Sequence, residues 1–240
     1  MAKADSAPGQ AKHLLLQGGI EHSSLLPSLP SNLITGATLD EKLLNAPPSL
    51  EDWYWIPEWL AGDWHRDEET VVSSHNYETG EDNNTPHTMA ASERAEFGVQ
   101  RDKLGGIWHT RLATAGVADC GSYLSVALMQ SQEAQTVSKS NVVIKDQFTE
   151  LHVNPDTKVI VWSAQAESIT KYERQDGGTI KATTSIKFFD EQGQPTIEQL
   201  NESVIKQTKP FAATDTYKGR DLKELFKQFL ISHNETDRIP

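Results

Sequence analysis

Cysteine occurs once in 240 residues, at Cys120. A lone thiol excludes an intramolecular disulfide and any Cys-x-x-Cys metal or redox site. Activating it as a nucleophile would take a neighbouring base and a positive field, so a small buried apolar residue is the expectation for it. No apolar run approaches membrane-spanning length, so the chain is not expected to be transmembrane. Basic side chains are scarce, with 22 Lys and Arg against 34 Asp and Glu and a net charge of −12. Phosphates and anionic membranes would be repelled, which excludes nucleic acid as an unassisted partner. Hydrophobic residues make up only 37% and the mean hydropathy is −0.53, so a substantial part should be exposed or loosely ordered.

Chemical motifs are missing too. The histidines, at 13, 22, 65, 75, 87, 109, 152 and 233, show no HxH, HxxxH or HExxH spacing, and scattered surface positions are the expectation. There is no Gly-x-Ser-x-Gly elbow. The cluster Asp63, Asp67, Glu68, Glu69, Glu78, Glu81 and Asp82 lacks the regular spacing of a calcium loop and reads as a solvated acidic face. No catalytic residue, metal ligand or cofactor is indicated. The acidity is concentrated: residues 62–103 carry 4 basic and 10 acidic side chains, a net −6.

What is present is a tryptophan-rich stretch, Trp53 to Trp64, with four of the six tryptophans in twelve residues. Residues 1–37 before it lack periodicity and read as a flexible N-terminal arm in which Leu14-Leu15-Leu16 and Leu25-Leu26 are candidates for docking. Their Ala-, Ser- and Gln-rich start is of the kind that follows a cleaved export signal, which points to a periplasmic or secreted protein; a cytoplasmic start is the alternative. Residues 38–61 form a helical lead-in. Thr38 and Glu41 have capping-box spacing, Ser49 begins a second short helix, and Pro57 breaks it before Gly62.

From Gly62 the pattern is that of strands. Ala91, Glu93, Ala95, Phe97 and Val99 alternate, Gly105-Gly106 turns, and Ile107 to Thr114 returns. Cys120–Gln130 and Asn141–Val153 follow, then strands Val159–Glu173, Thr179–Phe189 and Thr196–Gln207, separated by turns at 154–158, 175–178 and 190–194. These turns leave no room for crossover helices, so neighbouring strands should be antiparallel. A C-terminal α-helix starts at Asp221 with Leu222, Leu225, Phe226, Phe229 and Leu230 on one face, expected against the outside of the sheet. The chain thus divides into the arm, the lead-in, a mainly β unit over 62–208, and a helix and tail over 209–240.

A short helical turn, Gly62-Asp63-Trp64 opening the first strand, about eight antiparallel strands and a terminal helix resemble the lipocalins and the wider calycin family. The resemblance covers roughly 50–232 and implies an up-and-down eight-stranded β-barrel with small-molecule binding in its lumen. It also implies that Trp64 sits inside one end, after Gly62, under a basic residue, Lys206 or Lys209. The family's second motif is not evident, its usual disulfide cannot form, and the insert around 74–87 is atypical. Independently of the family, eight hairpin-linked strands must close or leave edges exposed, and closure removes the edges.

If Trp64 points inward, the two-residue period sends Arg66 and Glu68 inward as well, unless a bulge flips the strand. A charged pair in a lumen needs a polar partner. The expected lumen residues are Arg66, Glu68, Trp108, Thr110 and Tyr123. The expected function is non-enzymatic binding of a small, partly apolar or amphipathic molecule. The alternatives are a filled barrel that binds a protein partner through its acidic 63–82 region or its arm, and an isomerase or lyase working in a calycin lumen.

Overall fold

The computed structural model describes residues 21–48, 50 and 52–240. The leucines at 14–16 and the proposed cap Ser49 lie outside the described residues. The strands are β1 (Tyr54–Ile56), β2 (Gly62–Asn76), β3 (Asp82–Asn83), β4 (His87–Phe97), β5 (Gln100–Arg101), β6 (Ile107–His109) and β7 (Ala115–Asp119). They continue as β8 (Leu124–Val137), β9 (Asn141–Val153), β10 (Ile160–Arg174), β11 (Thr179–Phe189), β12 (Pro195–Pro210), β13 (Thr216–Tyr217) and β14 (Arg220–Asp221), before helix α1 (Leu222–Ser232).

Strands β7 to β12 form a meander because their connections are turns. Gly177 and Gly178 take φ of +77° and +74° between β10 and β11, where side-chain-bearing residues would be strained. β12 then pairs with β2, from Ile197 opposite Asn76 to Pro210 opposite Gly62, and β2 pairs with β4. The sheet order is β4-β2-β12-β11-β10-β9-β8-β7, with β3 also along β2. Gly62 is required at the β2–β12 seam. Its φ is +131°, and a Cβ there would sit 2.5 Å from the Lys209 carbonyl oxygen.

The sheet is antiparallel and curled, but the barrel is not closed: β4 and β7 are edges that do not pair with each other. The opening does not fall between the first and last strands, which are joined. It falls where residues 98–114 leave the sheet. Gly98 turns the chain outward with φ +92°, and a Cβ there would lie within 2.9 Å of side-chain carbons of Phe211 and Ile107. The expected return strand 107–114 keeps only Ile107–His109, which pairs with β1 and β5 in a separate three-stranded sheet.

Helix α1 packs on that small sheet and not on the outside of the large one. Asp221 caps it by accepting from the Glu224 amide at 2.9 Å. Its buried residues Leu222, Phe226 and Leu230 meet Leu50, Trp53, Val99 and Trp108. Of the short N-terminal helices, the described residues show one 3-10 turn, Glu41–Asn45, capped by Asp40 in place of Thr38.

One end of the curled sheet is plugged. Trp64, Ile56 and Leu60 pack with Phe97, Ile144, Ile180 and Ile205, and the Trp64 indole donates to the Leu60 carbonyl at 2.7 Å. Each such buried side chain contributes roughly 1.5–3 kcal/mol.

Residues 21–37 of the expected arm and the first residues of the lead-in run along part of the convex face. The Ser23 amide and hydroxyl donate to Glu167, each at 2.7 Å, the Leu26 amide donates to the Gly193 carbonyl at 3.0 Å, and the Leu29 amide donates to the Glu191 carbonyl at 2.8 Å. Further along, Leu33, Leu39, Leu43 and Leu44 cover Val126, Leu128, Leu151 and Val153.

Candidate functional site

Alternation along each strand gives the large sheet a concave face, and that face forms a cleft of about 750 Å³. Its walls are apolar where Met129, Phe148, Ile186 and Phe188 face it. Towards the plugged end the lining becomes polar, with Arg66, Glu69, Glu93, Asp146 and Tyr172.

A register shift between Arg66 and Glu68 on β2 decides which charges face inward. Arg66 lines the cleft as expected, but Glu68 is exposed and Glu69 takes the inward place. Arg66 donates through Nη1 to Glu69 at 2.6 Å and through Nη2 to Glu93. Burial alone would lower its pKa, yet the two carboxylates outweigh that and hold the guanidinium charged. The pair expected in the lumen is therefore a triad on β2 and β4.

Across the cleft stands Asp146 on β9. Burial pushes its carboxyl up to about 6, a shift opposed by a hydrogen bond from Gln132 and the charge of Arg111 and reinforced by Glu93. Behind it, Gln132 Oε1 accepts from the Tyr54 hydroxyl and from His109 Nε2, each at 3.2 Å. The Gly98 amide donates to His109 Nδ1 at 3.1 Å, which places the ring proton on Nε2. Burial lowers the His109 pKa to about 4, so the ring is neutral. Tyr172 is raised well above the ordinary tyrosine range by burial and by the charges of Asp146 and Glu93.

Several buried polar atoms around this end have no hydrogen-bond partner among the described residues: Asp146 Oδ1, Asn201 Oδ1, Arg66 Nε and Arg111 Nη1. Native interiors leave few such atoms, and each costs about 1–3 kcal/mol unless something fills the space.

The other sequence candidates lie elsewhere. Trp108 is buried under α1 and donates to Asp102 at 2.9 Å. Thr110 is buried but not in the cleft walls. Tyr123 stacks on His152 at 4.0 Å, and His152 meets Trp162 at 4.6 Å. Neither Lys206 nor Lys209 covers Trp64: both are exposed, and Lys209 pairs with Asp63 at 3.4 Å. Cys120 is exposed, contrary to the expectation of burial. His109, expected at the surface, is buried in the relay behind Asp146.

Sequence reasoning missed Asp146, Glu93, Gln132, Asn201 and Tyr172. One signal was available. On β9 the two-residue period puts Asp146 between the apolar Ile144 and Phe148, on the face that also carries Glu150. Among the described residues no group of three His, Cys, Asp or Glu side chains is arranged to hold a metal ion. No helix among them is long and apolar enough to cross a membrane.

Comparison with known protein families, characterised proteins and solved structures finds no match to this chain. Membership of the lipocalins or calycins is therefore not shown; what the structure supports is a mainly β chain with an antiparallel, curled sheet compatible with a barrel fold.

Proposed function

We propose that this protein binds a small, partly apolar molecule on the concave face of its sheet. One observation carries this reading: a cleft of about 750 Å³ has an apolar wall at Met129, Phe148, Ile186 and Phe188 and a polar one around Arg66, Glu93 and Asp146, where buried polar atoms stand unpartnered. That combination is what a binding pocket needs, with apolar area for affinity and a few placed polar atoms for orientation. The open seam between β4 and β7 gives the molecule an entrance that a sealed barrel would lack.

The acidic 63–82 region is less free for protein docking, because three of its carboxylates already have side-chain partners within it. His65 pairs with Asp67 at 2.9 Å, His75 with Asp82 at 2.8 Å, and Arg66 with Glu69 at 2.6 Å.

Nile red, a neutral apolar dye, tests the proposal. Its fluorescence should rise saturably with the protein, and Ala127→Trp, which fills the cleft from β8, should abolish the rise while leaving the circular dichroism unchanged. Native mass spectrometry should also show a retained molecule displaced by the dye. A dye signal that is absent, or indifferent to Ala127→Trp, would overturn the reading.

A further inference from the structure

Resting on that reading of the cleft, we propose that the bound molecule is an amphipathic amine: its ammonium group seats against Asp146 and its apolar body lies along Phe148, Met129, Ile186 and Phe188. The charge of the walls points this way. Glu69, Glu93, Asp146 and Glu150 line the cleft against the guanidinium groups of Arg66 and Arg94. Arg66 is already committed to Glu69 and Glu93. His65, which also lines it, is paired with Asp67. The lining therefore holds more anionic than cationic groups, and it belongs to a chain of net charge −12.

The unpartnered acceptors agree with this charge. Asp146 Oδ1 has no partner, and neither does Asn201 Oδ1, whose residue is only 7% exposed although it lines the same face. Both oxygens accept, so both call for a donor, and an ammonium group brings three. The free Arg66 Nε belongs to a guanidinium with two carboxylate partners. Arg111, whose Nη1 is also free, is outside the walls.

Asp146 is held ready for this role. Its neighbours are Glu93 on β4, Tyr172 on β10, Arg111 after β6, Tyr54 on β1, and Gln132 on β8 with His109 behind it. The Gln132 carbonyl oxygen is occupied by Tyr54 and His109, so its NH₂ is left to face Asp146. A carboxylate fixed in this way, half withdrawn from water, favours a cation that replaces the lost solvent.

The test compares decylamine, decanol and decanoate as competitors of Nile red at about pH 8, each below its micelle concentration. A charge-assisted contact predicts that decylamine competes about tenfold or more better than decanol, with decanoate weakest. Asp146→Asn should bring decylamine down to the level of decanol measured on the same variant. In the unaltered protein the amine's advantage should fade as the pH is lowered through about 6, where Asp146 takes up its proton. If Asp146→Asn fails to fold, this pH titration reads the same contact. Competition by decanoate equal to or better than decylamine, or an amine preference that survives protonation or substitution of Asp146, overturns the amine assignment and leaves the cleft reading intact. Failure of Nile red and all three compounds to bind overturns both.

Discussion

His109 Nε2 donates to the Gln132 carbonyl oxygen at 3.2 Å, and this contact ties the small three-stranded sheet to the floor of the cleft. β6 carries the imidazole, β8 carries the amide, and the Gly98 amide fixes the tautomer from the turn that leads the chain out of the large sheet. The excursion of residues 98–114 thus opens the barrel and also supplies the polar support behind Asp146.

Asp146 and His109 respond to pH with opposite signs. Burial raises Asp146 to about 6, so between roughly pH 4 and 6 the folded chain keeps a proton that the unfolded chain has released, and stability falls as pH rises through that window. Asp146→Asn removes that cost and should raise the unfolding free energy at about pH 8 by up to roughly 2–3 kcal/mol. His109 is lowered to about 4, so as pH falls from about 6.5 the unfolded chain gains a proton that the folded chain refuses, and stability falls with acid. In the native chain the two effects oppose each other. In Asp146→Asn only the His109 limb remains, so urea midpoints should drop more steeply from about pH 6.5 to 4 than in the unaltered protein. Equal slopes, or no gain at pH 8, would refute the assignment.

Glu167 anchors the N-terminal segment to the convex face. Its side chain is fully buried, accepts from the Ser23 amide and hydroxyl and from Gln147, each at 2.7 Å, and pairs with Lys145 at 3.0 Å. Burial pushes its pKa up, but the hydrogen bonds from His22, Ser23 and Gln147 prevail and hold it well below the usual glutamate range. The stability it contributes is complete above about pH 4.5 and is lost as acid protonates it. Glu167→Gln should cost about 2–4 kcal/mol near neutral pH, since Lys145 loses its buried partner. Amide exchange over residues 22–36 should rise at the same time. Unchanged protection there would refute the anchoring role.

Cys120 is the only thiol and lies exposed beyond the end of β7. A thiol reagent such as Ellman's should therefore label one equivalent in the native state without denaturant, and unfolding should add none. Labelling that requires denaturant would show the thiol to be covered.

How far the sequence carried depended on how local each signal was. Strands β9 to β12 were legible because Asp-Gly and Gly-Gly turns and two-residue alternation are written within a few residues of one another, and Thr179–Phe189 was placed with both ends correct. The cap at Asp221 was equally local. The open seam was not legible, because whether 107–114 returns to the large sheet depends on its competition with β1 and α1, a contact between distant parts of the chain. Glu68 was misplaced by a single bulge that nothing in its own segment marks. Asp146 was visible as an acid flanked by Ile144 and Phe148 on one face of its strand, but its support from Gln132, His109 and Tyr54 exists only after three strands meet.

Gly193 and Gly177 separate a crowded turn from a merely left-handed one. Their φ angles are nearly equal, +79° and +77°, so alanine incurs a similar backbone strain of about 1 kcal/mol at either site. They differ in what surrounds them. A Cβ on Gly193 would sit 1.8 Å from the Leu26 carbonyl oxygen, whereas a Cβ on Gly177 meets nothing within 4 Å. Gly177→Ala should therefore lose only the strain term and leave the N-terminal segment in place. Gly193→Ala must push Leu26 off the β11–β12 turn, breaking the bond from the Leu26 amide to the Gly193 carbonyl, and should cost at least about 1 kcal/mol more. Limited proteolysis between residues 24 and 36 reads the difference directly. Cleavage accelerated in Gly193→Ala but not in Gly177→Ala is expected, and equal behaviour of the two would mean that close approach of the segment to the turn contributes nothing to holding it down.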